Sequence, residues 1–415
     1  MNMIATRFER VRYAWTRIRE EGLAWTVREL AGRGLLTVLS VLLLPVTLLL
    51  HLAGFRMLTV ITERIGHFAA EIDCFLKLRA LGELPDRRYF VVAPPARTAN
   101  RCLADYWSRT LPVVRRPVYA ALLSTMSRIG LMRHDVADYV LTVQGAATYF
   151  RVNTKWAGRG PLLALTPEHE AWGRERLAEL GLPGDAWFVC LHVREGGYSG
   201  HDEKVHAFRN ADIGSMGLAI RAIVQRGGWC VRMGDPTMKP LSPARGAVDY
   251  AHHRLRSPEL DVFLCARCRF FIGTSSGLYL LSSAFGVRSA LVHMVPFTSM
   301  GFSPGDISIP KLLYSEREGR YLTFPEVLAS PISNYRMGRL LHDLGITAID
   351  SSPDEVEEVV LEVLDRLESR TVAYESSEPL QATYRALLRP MHYCYDASSR
   401  LGARFLERHR ALVTP

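Results

Sequence analysis

Between Thr166 and Val292 the chain alternates stretches of helical period with short apolar runs, and each run closes on a glycine or a polar residue. Short apolar strands that follow helices belong inside a parallel sheet, with helices packed over both faces. Thr166-Pro167-Glu168 opens the first helix with a capping hydroxyl and a proline at the first position. That helix runs to about Leu180 and stops at Gly181. The apolar run Phe188 to Val193 comes next, and a helix from Ile213 to Arg226 ends at Gly227-Gly228. A strand from Trp229 to Met233 ends in Gly234-Asp235-Pro236, and Val248-Asp249-Tyr250 is a shorter one. Leu260 to Cys268 reads as helix, Arg269 to Ile272 as strand, Gly273-Thr274-Ser275-Ser276-Gly277 as loop. Leu278 to Phe285 is again helix and Ser289 to Val292 strand. Ser352-Pro353-Asp354-Glu355 is a capping box before a helix reaching about Arg370.

The same alternation begins earlier. Met57 to Thr62 and Arg88 to Ala93 read as strands, with helices expected over Phe68 to Leu81 and Ala99 to Arg109. With 415 residues there is room for two or three domains. The expected layout is a membrane-associating segment at 1–56, a Rossmann-like domain at 57–165, a second at 166–372 and a basic helical tail at 373–415. The fold class is therefore α/β, with two Rossmann-like domains facing a cleft.

Gly34 to Phe55 contains no Asp, Glu, Lys or Arg, so its length just suffices to span a bilayer. Arginines at 7, 10, 12, 17, 19, 28 and 33, with Trp15 and Trp25, precede it, as in an interfacial helix with aromatic anchors. Pro45 in its middle favours a segment that dips into one leaflet over one that crosses. A span and a buried helix pair are the competing readings.

The chemistry concentrates at strand ends. In open α/β sheets the carboxyl ends of the strands face the ligand crevice. His192 and Arg194 lie at the end of the 188–193 run, followed by Gly196-Gly197. A guanidinium beside glycines suits a diphosphate, because bare backbone can approach it closely; His192 reads more simply as a core histidine. Gly273, Thr274, Ser275, Ser276 and Gly277 follow a strand and open a helix, where backbone N–H groups and hydroxyls can cradle an anion. Asp202, Lys204, Arg209, Asn210 and Asp212 crowd the loop after Tyr198, and Arg209 and Asn210 are donor-binding candidates. Asp235 and Asp249, at strand ends, could accept hydrogen bonds from a base or ribose, although a turn aspartate explains each equally well. His67 and Glu63 flank Gly66 after the first strand and are the candidate general bases.

No Asp-x-Asp, HExxH or Cys/His ligand set occurs, so no metal or other cofactor is expected. The seven cysteines are scattered, and Cys265-Ala-Arg-Cys268 lacks a second CxxC. The net charge of +9 fits a phosphorylated ligand or an anionic membrane surface. Nucleic acid is excluded by the absence of any RNA-binding signature or zinc-finger spacing.

Leu191-His192-Val193-Arg194 resembles the His-x-Arg motif of GT-B fucosyltransferases. Phe188 to Tyr198, Arg209 to Ile213, Val231 to Pro236 and Phe271 to Leu278 together resemble a bacterial glycosyltransferase family of surface-polysaccharide gene clusters. The resemblance spans most of residues 58–370. It implies a GT-B fold, a nucleotide-sugar donor held mainly by the C-terminal domain, metal-independent transfer, and inversion. It gives Arg194 the donor diphosphate. Glu195-Gly196-Gly197 departs from the Gly-Asp common in the fucosyltransferases, which leaves the sugar open. The expectation is an enzyme at the cytoplasmic face of the inner membrane, peripheral or monotopic, acting on a glycan or lipid-linked acceptor. A nucleotide-sugar epimerase of the same architecture, or a non-catalytic membrane-docked assembly scaffold, are the alternatives. Isomerisation without acceptor would mark the first, and absence of nucleotide binding the second.

Overall fold

The computed structural model describes residues 27–28, 30–136, 139, 143–196 and 207–414. Most of the arginine-rich lead with Trp15 and Trp25, and the loop bearing Tyr198, Asp202 and Lys204, lie outside them. The chain divides into two compact units. The first takes residues up to Thr59, Asp86–Ala96 and Leu111–Asp135; the second takes Val60–Pro85, Arg97–Thr110 and Val136–Pro415.

The first unit is built on strands β1 (Phe55–Leu58), β2 (Arg88–Val92), β3 (Val113–Val114) and β4 (Arg133–His134). They form a parallel sheet in the order β3-β2-β1-β4. Its core is Phe90, Met126 and Met132, with Phe55, Met57, Val92 and Val114 of the sheet packed against them. Helices α1 (Leu30–Leu42) and α2 (Leu44–Leu52) precede β1 and bend by 56° at their junction. Pro45 sits in the first turn of α2, where its missing N–H breaks the ladder continuing from α1. No single described helix is long and apolar enough to cross a membrane; this bent pair passes that test only together. Gly54, at φ +84°, makes the left-handed turn that ends α2 and starts β1.

The second unit also contains α3 (Ile65–Ala80), α4 (Arg101–Trp107) and α6 (Val143–Trp156), whereas α5 (Pro117–Ser127) belongs to the first. Twelve of the sixteen residues of α3 are buried. Such enclosure requires polar side chains to find partners. Asp73 pairs with Lys77 at 2.6 Å and accepts from the Tyr149 hydroxyl at 2.9 Å, and Lys77 donates to Asn153 at 2.8 Å. Trp107 on α4 donates its indole N–H to Phe68 O at 3.0 Å.

The remaining strands are β5 (Phe188–His192), β6 (Trp229–Arg232), β7 (Ala247–Asp249), β8 (Phe271–Gly273), β9 (Ser289–Met294), β10 (Ile307–Pro310), β11 (Leu312–Ser315), β12 (Arg320–Tyr321), β13 (Ile346–Ile349) and β14 (Arg400–Leu401). Seven of them form one parallel sheet in the order β14-β10-β9-β8-β5-β6-β7. From β7 to β10 this is the doubly wound order 3-2-1-4-5-6. β5 and β9 are buried along their whole length, as strands covered on both faces must be. An antiparallel sheet, β12-β11-β13, stands beside the chain's return to the large sheet.

Helices α7 (Pro167–Glu179), α8 (Gly217–Gln225), α9 (Pro258–Arg267), α10 (Leu278–Ala284), α11 (Phe324–Ala329), α12 (Gly338–His342) and α13 (Pro353–Leu367) follow one another along the second unit. The capping box before α13 forms as its sequence predicts: Ser352 Oγ accepts from Glu355 N and the Glu355 carboxylate accepts from Ser352 N. All seven cysteines are buried and free of disulfides.

Candidate active site

In the seven-stranded sheet the chain builds outward from β5 through β6 and β7 on one side. It then returns to β8 on the other side and continues through β9 and β10. The connections above β5 and β8 therefore diverge, the topology that in open α/β sheets favours ligand binding at the strands' carboxyl ends. His192 and Gly273, the last residues of the two strands, are register partners. Arg194 and the 273–277 loop, singled out from sequence, thus meet at this switch point.

The two loops are bonded to each other. Thr274 N donates to His192 O at 3.2 Å, and Arg194 N donates to the Thr274 hydroxyl at 3.0 Å. Thr274 is fully buried. A Cβ on Gly273 would stand 3.1 Å from His192 O, so a glycine lets the strands close here. Arg194 O accepts from Ala211 N at 3.0 Å, which brings in the 207–212 segment. The Arg209 guanidinium donates through Nε to Ser275 O at 3.1 Å, and Lys311 Nζ donates to Asn210 O at 2.7 Å. Ser276 turns sharply, its N–H on Thr274 O at 2.6 Å, and its buried hydroxyl has no hydrogen-bond partner among the described residues.

The N-terminus of α3 presses on the same loop. A Cβ on Gly66 would stand 2.6 Å from the Gly277 Cα, so only paired glycines allow the contact. His67, the next residue, has a side chain 13% exposed, and its Nδ1 lies 2.5 Å from Glu71 Oε1. Glu71 is fully enclosed and also accepts from Ile61 N at 3.0 Å, so the carboxylate is fixed and orients the ring. Burial, then the positive charges of Arg64, Arg336 and Arg209, push the imidazole down to about 4. At neutral pH the ring is uncharged, donates Nδ1–H to Glu71 and keeps a lone pair on Nε2.

The other candidates have different surroundings. Glu63 lies in the turn before α3, and its carboxylate pairs with Arg97 at 2.5 Å on the surface. Asp235 closes a turn by accepting from Thr237 N at 2.9 Å and from the Thr237 hydroxyl. Asp249 is held by Arg232 at 3.1 Å, Leu241 N at 2.8 Å and His252 at 2.9 Å. Arg232 is fully buried and also reaches Glu195 at 3.0 Å, so one guanidinium ties together the carboxyl ends of β5, β6 and β7. His192 is buried, and its imidazole is pushed down to about 4 by desolvation and then by Arg232.

Glu71, Arg336 and the Arg232–Glu195 pair are additions to the residues singled out from sequence. The four-residue spacing of His67 and Glu71 on one helix was an available signal. Arg336, far downstream, gave none. Among the described residues no three His, Cys, Asp or Glu side chains come together to hold a metal ion.

No protein family and no curated protein matches the sequence. Solved structures resemble it weakly. One is a glycosyl transferase family 9 protein from Veillonella parvula DSM 2008, 11% identical, covering 74% of this chain and 97% of that chain, with TM-score 0.40. Another is the E. coli ADP-heptose lps heptosyltransferase II, 12% identical, covering 76% and 100%, with TM-score 0.46. A third is the iron-containing dodecameric glycosyltransferase TibC of enterotoxigenic E. coli H10407, 13% identical, covering 75% and 76%, with TM-score 0.39. With TM-scores this low, none of these likenesses carries over to the residues of the site.

Proposed function

We propose that this protein is a GT-B glycosyltransferase. It moves a sugar from a nucleotide-sugar donor to a hydroxyl of a lipid-linked or surface-glycan acceptor, with inversion and without a metal. The observation that carries the proposal is the meeting of three elements within one compact unit. The Arg194 and 273–277 loops join at the switch point of a doubly wound sheet, and the His67–Glu71 pair is pressed against them through Gly66 and Gly277.

The donor diphosphate lies at the carboxyl ends of β5 and β8. Arg194, Arg209, Arg336 and Arg64 supply the positive charge, and the Ser276 hydroxyl supplies a donor. Asn210 holds the loop through Lys311, while Asp235 and Asp249 shape the neighbouring strand ends. His67 is the base, because Arg97 occupies Glu63. Nε2 takes the proton of the acceptor hydroxyl as its oxygen bonds to the anomeric carbon. The carbon–oxygen bond to the diphosphate breaks on the opposite face, and the charge left on the departing phosphate is met by the guanidinium groups. A single displacement of this kind inverts the anomeric centre. The uncharged 34–55 run supports the further reading that the enzyme works at the cytoplasmic face of the inner membrane.

The test is a thermal-shift titration with GDP, UDP, TDP and CMP compounds. A ligand at about 100 times its Kd stabilises the folded state by about 2.7 kcal/mol, a readily measured shift. One nucleotide class should bind, with turnover only once an acceptor is added. Arg194→Ala should abolish turnover while circular dichroism stays unchanged. Isomerisation of the donor without acceptor would indicate an epimerase, and no response to any nucleotide would remove the proposal.

A further inference from the structure

We infer that the first unit docks on an anionic lipid bilayer through a surface shared by α5 and the bent α1–α2 pair. This deepens the membrane association proposed above and rests on it. That association was drawn from residues 1–56, and α5 lies outside them.

The geometry comes from the core of the unit. Leu43 and Leu50 of the α1–α2 segment and Leu123 of α5 pack against one cluster, Phe90 with Met126 and Met132, as do the strand residues Phe55, Met57, Val92 and Val114. Residues two apart on a strand share a face, so α5 and the α1–α2 pair cover one face of the β3-β2-β1-β4 sheet. They also touch directly, the Ser40 hydroxyl donating to Thr125 O at 2.9 Å. Their outer sides therefore form one surface.

That surface is apolar on all three helices. Leu42, Leu49 and Leu52 are exposed on the N-terminal pair, Leu52 to 78%. On α5 the exposed side chains are Val118, at 77%, with Tyr119 and Leu122. Val118 and Leu122 are four residues apart and lie on one stripe. An apolar patch this wide marks an interaction site.

Charge selects the occupant. Residues 30–59, 86–96 and 111–135 carry eight arginines against two aspartates, Asp86 and Asp135. Arg116 and Arg128 stand exposed at the two ends of α5. Apolar side chains bounded by arginines fit the acyl region and phosphate headgroups of an anionic leaflet. A second copy of the same surface would bring arginine against arginine.

The experiment is co-sedimentation of the full chain with vesicles of phosphatidylcholine alone and with added phosphatidylglycerol. Three chains are compared: wild type, Val118→Glu/Leu122→Glu, and Leu42→Glu/Leu49→Glu. The milder Leu122→Gln is a fourth should the α5 pair misfold, with the melting temperature as the check on folding. Wild type should bind vesicles containing phosphatidylglycerol, and the α5 pair should lose at least about tenfold in partitioning. If the α5 variants bind as wild type while the Leu42/Leu49 variant does not, the role of α5 is refuted and the N-terminal association stands. If wild type binds neither vesicle, both fall. A wild-type dimer in solution that the α5 pair converts to monomer, without vesicle binding, would reassign the surface to self-association.

Discussion

His67 is neutral because of its surroundings, and this determines how the enzyme should respond to acid. A free imidazole protonates near 6.5; here burial and the neighbouring arginines push it down to about 4. The acid limb of kcat/KM should therefore lie near 4, and a limb near 6.5 would exclude His67 as the base in this environment. The same shift has a stability consequence of fixed sign. With the folded-state value below the unfolded one, the contribution is complete above about 6.5 and is lost as pH falls toward 4. Glu71 acts through His67 and is a positioning residue. Glu71→Gln should lower kcat by about 10²-fold or more, leave KM for the donor little changed, and move the acid limb. A variant with the wild-type pH profile would show that the carboxylate is merely structural. At this scale the sequence was partly legible. Arg194 stood out because it sits at the end of a strand, and His67 because it comes a few residues after one. Asp249 stood out for the same reason, yet its carboxylate belongs to Arg232, seventeen residues earlier in the chain. Strand-end position identifies a polar residue but not its partner.

At the scale of elements, the decisive contact is that of α3 with the 273–277 loop. Gly66→Ala would place a methyl group 2.6 Å from backbone that cannot turn aside. It should cost about 1–3 kcal/mol and weaken nucleotide binding with it. Gly217, the first residue of α8, has only the far end of Arg221 near it, at 4.0 Å. Gly217→Ala should be neutral or raise stability by up to about 1 kcal/mol. Denaturant titrations of the two variants give the comparison, and equal effects would dismiss the close approach as the reason for Gly66. The elements that make this contact were readable, because β5, β8 and α3 are long or strongly apolar. β3, β4, β12 and β14 span two residues each, too short for any period to show. β10 is four residues long and ends at Pro310, so its sequence, Ile-Ser-Ile-Pro, is too short to establish a period and resembles a loop.

At the scale of the whole molecule, the N-terminal helices are more than an appendage. Leu43, Leu50 and Phe55 pack into the core of the first unit, and β1 begins at Phe55. Deleting residues 1–55 should therefore loosen the four-stranded sheet itself. Leu43→Ala with Leu50→Ala should cost roughly 2–5 kcal/mol. Hydrogen exchange at Arg88–Val92 reports on this, and full protection there in the truncated chain would contradict it. Surface substitutions are for that reason the cleaner probe of lipid binding. The close approach of Gly66 to Gly277, which leaves no room for a Cβ on either, has a broader consequence. The two glycines hold His67, the proposed proton acceptor, against the 273–277 loop within one compact unit. In the proposed reaction, base and phosphate seat therefore keep their alignment for as long as the second unit stays folded.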